Sequence, residues 1–233
     1  MNRIPIGFYR EIFMNLDDKI DEIEARVKSE AVIVEDSAHD HSLHEESGKH
    51  VTIDGLWLEF GVYRGNTIAK ICELTDKIVY GFDCFTGLPE TWDAENPRGM
   101  FDMAGVPPNT TPDGDAWDNV EFVVGLFQHT LTQFLKDHPE NIAYLHIDSD
   151  LYSAARCVLE ALKSRIVPGT IIVFDELLDF DTYREHEIKA FAEFLIETDY
   201  NYEVIARMPD TQPFPSGPAM RGYSPATFKV VKK

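Results

Sequence analysis

The sequence predicts an α/β protein: a doubly wound, mostly parallel sheet of seven strands with an antiparallel strand at its C-terminal end. Three observations carry this. From Gly55 onward, short apolar runs alternate with stretches of helical periodicity, the pattern of strands joined by crossover helices. Two runs, Ile142–Tyr152 (IAYLHIDSDLY) and Gly169–Phe180 (GTIIVFDELLDF), stay apolar until they end in acids, as strands buried on both faces do. The last two runs are joined by an irregular loop rich in Pro, Gly and Ser. Such a loop suits a hairpin, and so one antiparallel strand at or near the sheet edge.

In chain order, residues 7–28 read as a helix. Phe8, Ile12, Phe13, Leu16, Ile20, Ile23 and Val27 recur at spacings of three and four. Its apolar face packs either on the main domain or on a partner subunit, which would make a homodimer. Residues 29–50 break the pattern, and EDSAHDHSLHEESGKH holds His39, His41, His44 and His50 among acids. A solvated acidic loop or lid fits this stretch better than a transition-metal site, because nothing makes the side chains converge. Leu56–Phe60 is the first strand, followed by a Gly turn and a helix over Thr67–Leu74. Lys77–Phe85 is the second strand. Residues 86–119 form a long irregular loop, of the kind that is usually functional. Glu121–Val124 is the third strand and Thr130–Lys136 starts a helix. The acid-tipped strand 142–148 follows, then a helix over Ser153–Arg165 and the second acid-tipped strand, 170–175. A helix over Glu185–Thr198 and strands Tyr202–Arg207 and Thr227–Val231 complete the seven. With no repeat and no interdomain linker, residues 1–233 read as one domain: an N-terminal helix and lid-like segment over 1–50, and a core over 51–233.

Composition narrows the function. Net charge is −20, which repels phosphate and so argues against nucleic acid and anionic membranes, and favours cationic ligands. No apolar run approaches the roughly 20 residues of a membrane span. Arg10 and Glu11 interrupt any signal-peptide core. Three scattered cysteines, Cys72, Cys84 and Cys157, without a CxxC, suit free thiols in a reducing compartment, and a cytoplasmic location is expected.

Two constellations carry chemistry. The first strand ends in LEFGVYRGNT, giving Glu59, Gly61, Tyr63 and Gly65, with Asn66 and Thr67 opening a helix. This is a mononucleotide-binding turn. It is not GxGxxG, because position 63 is Tyr, and Glu59 suits a cationic group better than a pyrophosphate. A tight packing turn would look the same. The second strand ends GFDCF, placing Asp83 where this fold holds ribose hydroxyls. Together these residues suit a nucleoside ligand with a cationic part, such as S-adenosylmethionine. The second constellation is Asp148, Asp150, Asp175 and Glu176. Three of them, Asp148, Asp175 and Glu176, suit Mg²⁺ or a similar ion, and Asp150 suits a general base. For Asp175 and Glu176 to share the cleft, their strand must break between them. Helix capping by Ser149 or Asp150 would explain at most one of the four acids.

LEFGVYRGNT, GFDCFTGLPETW, VEFVVGLFQHTL, IAYLHIDSDLYSA and PGTIIVFDEL, taken together over roughly residues 55–180, resemble the macrocin-type O-methyltransferases. These act on sugar hydroxyls of macrolide and aminocoumarin antibiotics. The resemblance implies a Rossmann-like class I methyltransferase sheet, S-adenosylmethionine as methyl donor and dependence on Mg²⁺. It implies that Glu59, Gly61 and Gly65 contact the methionine part and Asp83 the ribose, that Tyr63, Asn66 and Thr67 also bind the cofactor, and that Gly125, Phe127 and Gln128 lie near the adenine. Asp148 would lie at the cofactor and bind metal with Asp175 and Glu176, and Asp150 would be the base. The family carries two aspartates where this chain has Asp175–Glu176. Residues 1–50, 86–118 and 208–225, where the resemblance fades, are expected to choose a hydroxylated small-molecule acceptor. A non-catalytic S-adenosylmethionine-binding protein and a metal-independent methyltransferase are the alternatives. The missing GxGxxG disfavours a nucleotide-dependent oxidoreductase.

Overall fold

A computed structural model of the chain describes residues 15–34, 41–209 and 223–233. The strands are β1 (Val32–Ile33), β2 (Leu56–Phe60), β3 (Val79–Asp83), β4 (Val120–Val124), β5 (Ile142–Ile147), β6 (Ile171–Leu178), β7 (Tyr200–Arg207) and β8 (Ser224–Lys232). The helices are α1 (Asn15–Glu30), α2 (His41–Gly48), α3 (Asn66–Glu73), α4 (Phe127–Asp137), α5 (Tyr152–Leu162) and α6 (Glu187–Glu197), with a 3₁₀ turn at Tyr183–Glu185. The α/β class and the mostly parallel sheet are as the sequence predicts.

The sheet order is β1-β7-β8-β6-β5-β2-β3-β4. The described residues thus hold eight strands, not seven. The addition is β1, which joins β7 as a parallel edge. It is two residues long, with both side chains exposed, too short for a periodic signal. The antiparallel strand is β8, which pairs with both β6 and β7. It lies inside the sheet, not at its edge, because β7 and β1 continue beyond it. The chain runs outward from β2 through β3 to β4, then returns to place β5 on the other side of β2. Strand order reverses between β2 and β5, and crevices beyond the carboxyl ends of such strands bind ligands.

Every residue of β2, β5 and β6 is buried, because helices cover both faces. On one face, Ile20, Ile23 and Val27 of α1 join Leu131 and Phe134 of α4, Val158 and Leu162 of α5, and Phe191 and Leu195 of α6. The apolar stripe of α1 that suggested a partner subunit is therefore buried in the chain's own core. The part of that predicted helix before Asn15 lies outside the described residues. On the other face, α2 and α3 cover Trp57, Tyr144, Ile171 and Val173.

The position of α2 corrects the expected acidic loop. His44 and Ser47 are buried. His44 Nδ1 lies 2.6 Å from the Tyr144 hydroxyl, and the Ser47 and Thr227 hydroxyls are 2.7 Å apart. A three-to-four spacing of Leu43, His44 and Ser47 places small and amphipathic side chains on one helix face. The density of charge around them hid that face in the sequence. His39 lies outside the described residues.

Candidate active site at the switch point

Three strand ends build the site. After Phe60, Gly61 adopts φ +94°. A Cβ there would overlap the Asp148 carbonyl oxygen and lie 2.8 Å from the carbonyl carbon. The missing side chain is what lets β2 and β5 stay in contact where their loops begin: Asp148 N–H donates to Phe60 O at 2.9 Å, while Gly61 N–H donates to Phe82 O of β3 at 2.9 Å. Gly65, at φ +83°, caps α3.

Asp83, at the end of β3, organises this turn. Its Oδ2 accepts from the Val62 and Tyr63 N–H groups at 2.9 and 2.8 Å, and its Oδ1 from Phe85 N–H at 2.7 Å. A carboxylate offers about four acceptor sites, so roughly one remains for a ligand. Asp83 was expected to accept from ribose hydroxyls; the structure uses most of the group on the chain's own backbone.

Past β5, Asp150 sits at φ +60° in the turn before α5. The N-cap of α5 is Leu151, with no side-chain cap hydrogen bond. Neither Ser149 nor Asp150 is a helix cap, so capping explains none of the acids. The expected break in the next strand takes the form of an irregularity within it: β6 runs through Asp175 and Glu176 to Leu178, its register on β8 shifts between Phe174 and Leu178, and both acids line the cavity. His146 pairs with Val173 and Ile147 with Phe174, the last pairs between β5 and β6.

By the distances between their ligand atoms, the acids fall into two overlapping groups rather than the single triad of Asp148, Asp175 and Glu176. Ligand atoms of Asp148, Asp150 and Glu176 lie within 4.8 Å of one another, and so do those of His146, Asp148 and Asp175. Asp148 belongs to both. Glu187 of α6 braces the first group from below: it is fully buried, accepts from Glu176 N–H at 3.0 Å and bonds the Ser149 backbone.

A cavity of about 1200 Å³ opens over these ends. Of the expected site residues, Gly61, Tyr63, Asn66, Thr67, Asp83, Gly125, Phe127, Gln128, Asp148, Asp150, Asp175 and Glu176 all line it. Gly65 and Glu59 do not. Gly65 acts one step back, as the helix cap. Glu59 is fully buried, and its Oε1 lies 3.1 Å from His146 Nδ1. In a strand buried on both faces, Glu59 therefore faces His146 and not the cavity.

Some wall residues were not singled out in the sequence. Glu90, Trp92 and Asp93, from the long loop, line the cavity opposite the strand ends, and Ser153 Oγ donates to Glu90. His146 was detectable, since it lies two residues before Asp148 and therefore on its face. Glu187 left no trace, because its partners are 11 and 38 residues away.

Burial and mutual repulsion dominate the electrostatics. Burial first, then Asp175, Asp150, Glu59 and Glu187, hold the Asp148 carboxyl well above its usual range. Burial, then the neighbouring carboxylates, does the same to Glu176 and Glu187. Asp150 is pushed up to about 7, by burial and then by Asp83 and Asp93. Between about pH 4 and 7 an unfolded metal-free chain has released this proton and the folded chain has kept it. The folded state binds more protons there, so stability falls as pH rises through that window. For Asp150 alone this approaches roughly 4 kcal/mol, at about 1.4 kcal/mol per pKa unit. Protein held in chelator should therefore lose about 10 °C in Tm between about pH 5 and pH 8. A Tm that rises over that range would show that these carboxyls titrate normally.

A switch-point cavity with a glycine turn on one side and acids on the other, over a sheet of this order, defines the α/β methyltransferase fold. The calicheamicin methyltransferase CalS11 shares it, with 20% identity over 91% of each chain and a TM-score of 0.60. An O-methyltransferase from Bacillus cereus, solved in complex with SAH, matches over 94% of this chain and 91% of its own, with 16% identity and a TM-score of 0.55. The chain belongs to the macrocin O-methyltransferase (TylF) family, whose model matches residues 46–199. The mycinamicin III 3''-O-methyltransferase of Micromonospora griseorubida is 28% identical over 151 residues, 56% of this chain. The match spans 58% of that relative's length.

Proposed function

We propose that this protein is an S-adenosylmethionine-dependent O-methyltransferase that methylates a hydroxyl of a sugar-bearing small molecule, assisted by a divalent cation. The observation that supports it most is the convergence of Asp148, Asp150, Asp175 and Glu176 on the cavity that also holds the glycine turn and Asp83. Its volume exceeds the usual single-ligand range of about 300–1,000 Å³, leaving room for a donor and an acceptor side by side. Eight of the described lining residues are carboxylates, and Arg64 is the one Lys or Arg among them. That lining favours a sulfonium and an ammonium group. It also favours a neutral or amino-bearing acceptor over a nucleotide sugar, whose phosphates it would repel.

In this reading the Val62–Tyr63 backbone, held by Asp83, shapes the donor subsite, and Phe127 and Gln128 flank it from α4. S-adenosylmethionine, bound there, supplies an electrophilic methyl group and leaves as S-adenosylhomocysteine. Asp150 takes the proton of the acceptor hydroxyl. The hydroxyl oxygen forms the new C–O bond as the C–S electron pair returns to sulfur, and Asp150 then releases the proton to solvent. The charge lost from sulfur weakens attraction to the acidic walls and favours product departure. The described residues fit a cation: Asp148 lies in both ligand groupings, and Glu176 Oε2 is buried with no hydrogen-bond partner among the described residues. Bound at Asp148, a divalent ion would lower the pKa of a nearby hydroxyl.

Asp83→Ala should weaken S-adenosylmethionine binding more than tenfold and lower Tm. It leaves three backbone N–H groups without their acceptor, at about 1–3 kcal/mol each if water does not replace it. Unchanged affinity would place the donor elsewhere. The reading as a whole is tested by methyl transfer from labelled S-adenosylmethionine to a panel of neutral and amino-bearing glycosides, with and without EDTA. Transfer abolished by EDTA and restored by divalent cation is the expected result. Transfer indifferent to EDTA would remove the metal, and donor binding without transfer to any acceptor would leave a binding protein.

A further inference from the structure

We propose that the sugar ring of the acceptor is held in an aromatic corner of Trp92 and Phe180, backed by His186, and that Trp92 is the residue that determines acceptor specificity. The occupant rests on the methyltransferase reading: it is the ring that bears the hydroxyl to be methylated.

Two segments build the corner. Trp92 sits at the tip of a hairpin within the long loop after β3. In its stem, Thr86 pairs with Asp102 in an antiparallel bridge. Leu88 N–H donates to Met100 O and Gly99 N–H to Leu88 O, each at 2.9 Å. At the tip, Trp92 N–H donates to Asn96 O at 3.0 Å. Asp93 Oδ1 accepts from the Glu95 and Asn96 N–H groups, each at 2.8 Å. The backbone that presents the indole is thus fixed by its own bonds. Phe180 follows β6, and His186 is the N-cap of α6. The Trp92 and Phe180 rings stand at 81° with centroids 5.8 Å apart. The His186 ring lies 6.2 Å from Trp92 and 5.7 Å from Phe180. Trp92 and Phe180 are half-buried and both line the cavity, so two aromatic surfaces meet there at nearly a right angle.

The polar atoms at the corner point to a hydroxyl. Trp92 Nε1 and His186 Nδ1 are buried with no hydrogen-bond partner among the described residues. The indole nitrogen only donates. The His186 ring donates to the Asp150 backbone, which leaves Nδ1 of the neutral ring as an acceptor. One hydroxyl, which accepts and donates at once, satisfies both, and so removes the cost of leaving them unpaired. The tip is tied to α5 by a side chain, Ser153 Oγ to Glu90, so the indole can shift to admit it. Glu90 and Asp93, next to Trp92 in the chain, also line the cavity. Carboxylates accept from hydroxyls or from an ammonium group. A pyranose offers this combination, an apolar ring face edged by hydroxyls, and aromatic surfaces flanked by hydrogen-bonding groups match it. A flat apolar acceptor would fill the corner but leave both nitrogens unpaired.

The test reads binding without methyl transfer. Tryptophan fluorescence of the full chain is titrated with methyl glycosides of a hexose, a 6-deoxyhexose and a 2-aminohexose, with neither donor nor cation present. At least one should change the emission saturably. The change should vanish in Trp92→Phe and persist in Trp117→Phe, because Trp117, whose Nε1 donates to Pro108 O, is not part of the cavity wall. By ligand-observed NMR, Trp92→Ala and Phe180→Ala should each weaken that glycoside about tenfold or more. S-adenosylmethionine affinity should stay within about twofold, and KM for the acceptor should rise with kcat within about threefold. If Trp92→Ala does not fold, Trp92→Phe and Phe180→Ala decide. No saturable change with any of the glycosides, or glycoside affinity unaltered by the alanine variants, would overturn the proposal. Glycoside binding at Trp92 in a chain that takes up no S-adenosylmethionine would keep the corner and sink the methyltransferase reading. Methyl transfer to a glycoside with unchanged KM in Trp92→Ala would do the reverse.

Discussion

Asp150→Asn should lower kcat by about 10²–10⁴-fold, the range general-base catalysis contributes, and leave S-adenosylmethionine affinity within about twofold. The amide keeps the size of the carboxyl and removes its basicity. A carboxyl pushed up to about 7 is matched to proton transfer near neutral pH, unlike one at its usual value near 4. The same substitution should raise Tm in chelator, because it removes one member of a set of mutually repelling buried acids. Lost turnover with gained stability would mark Asp150 as a residue kept for function at a cost to the fold. Turnover within tenfold of wild type would assign the proton to another group. Equal losses of turnover and donor affinity would mean that Asp150 shapes the cavity instead.

Gly61→Ala should produce the largest structural effect of any single methyl added at the described glycines. The added carbon meets backbone, the Asp148 carbonyl, so no side-chain rotation relieves it. At φ +94° an alanine is also strained, by about 1–2 kcal/mol. With overpacking of roughly 1–3 kcal/mol, a loss of about 3–5 kcal/mol is expected, or 10 °C or more in Tm. Because β2 and β5 separate at the point where Asp148 leaves the sheet, donor and cation binding should fall together. Thermal denaturation with a cation titration checks this. A variant with wild-type Tm would mean that the two strand ends are not in the contact described.

The features legible in the sequence were those with local causes. The apolar runs of β5 and β6 announced buried parallel strands, and their acid tips announced the site. Gly61 and Gly65 marked a turn whose left-handed backbone demands glycine. Misread features depended on what lay across space. Asp83 was placed at the ribose without its role in the turn, because its three donors, on Val62, Tyr63 and Phe85, are backbone groups that leave no pattern. Glu59 read as a cavity residue because the face it takes depends on α2, and α2 was hidden in a charged stretch. Asp175 and Glu176 were expected to share a cleft through a strand break. They do share the cavity, through a register shift within β6 and not through its end. The short edge strand β1 exists only because β7 offers it an open edge.

The measurement that reaches the central claim most directly is isothermal titration of the full chain with S-adenosylmethionine, beside Asp83→Ala. Saturable micromolar binding to wild type, weakened more than tenfold in the variant, is the expected result and would place the donor on the turn that Asp83 holds. Folded wild-type protein that takes up no S-adenosylmethionine, with or without divalent cation, would contradict the account. The acidic cavity would then belong to another chemistry.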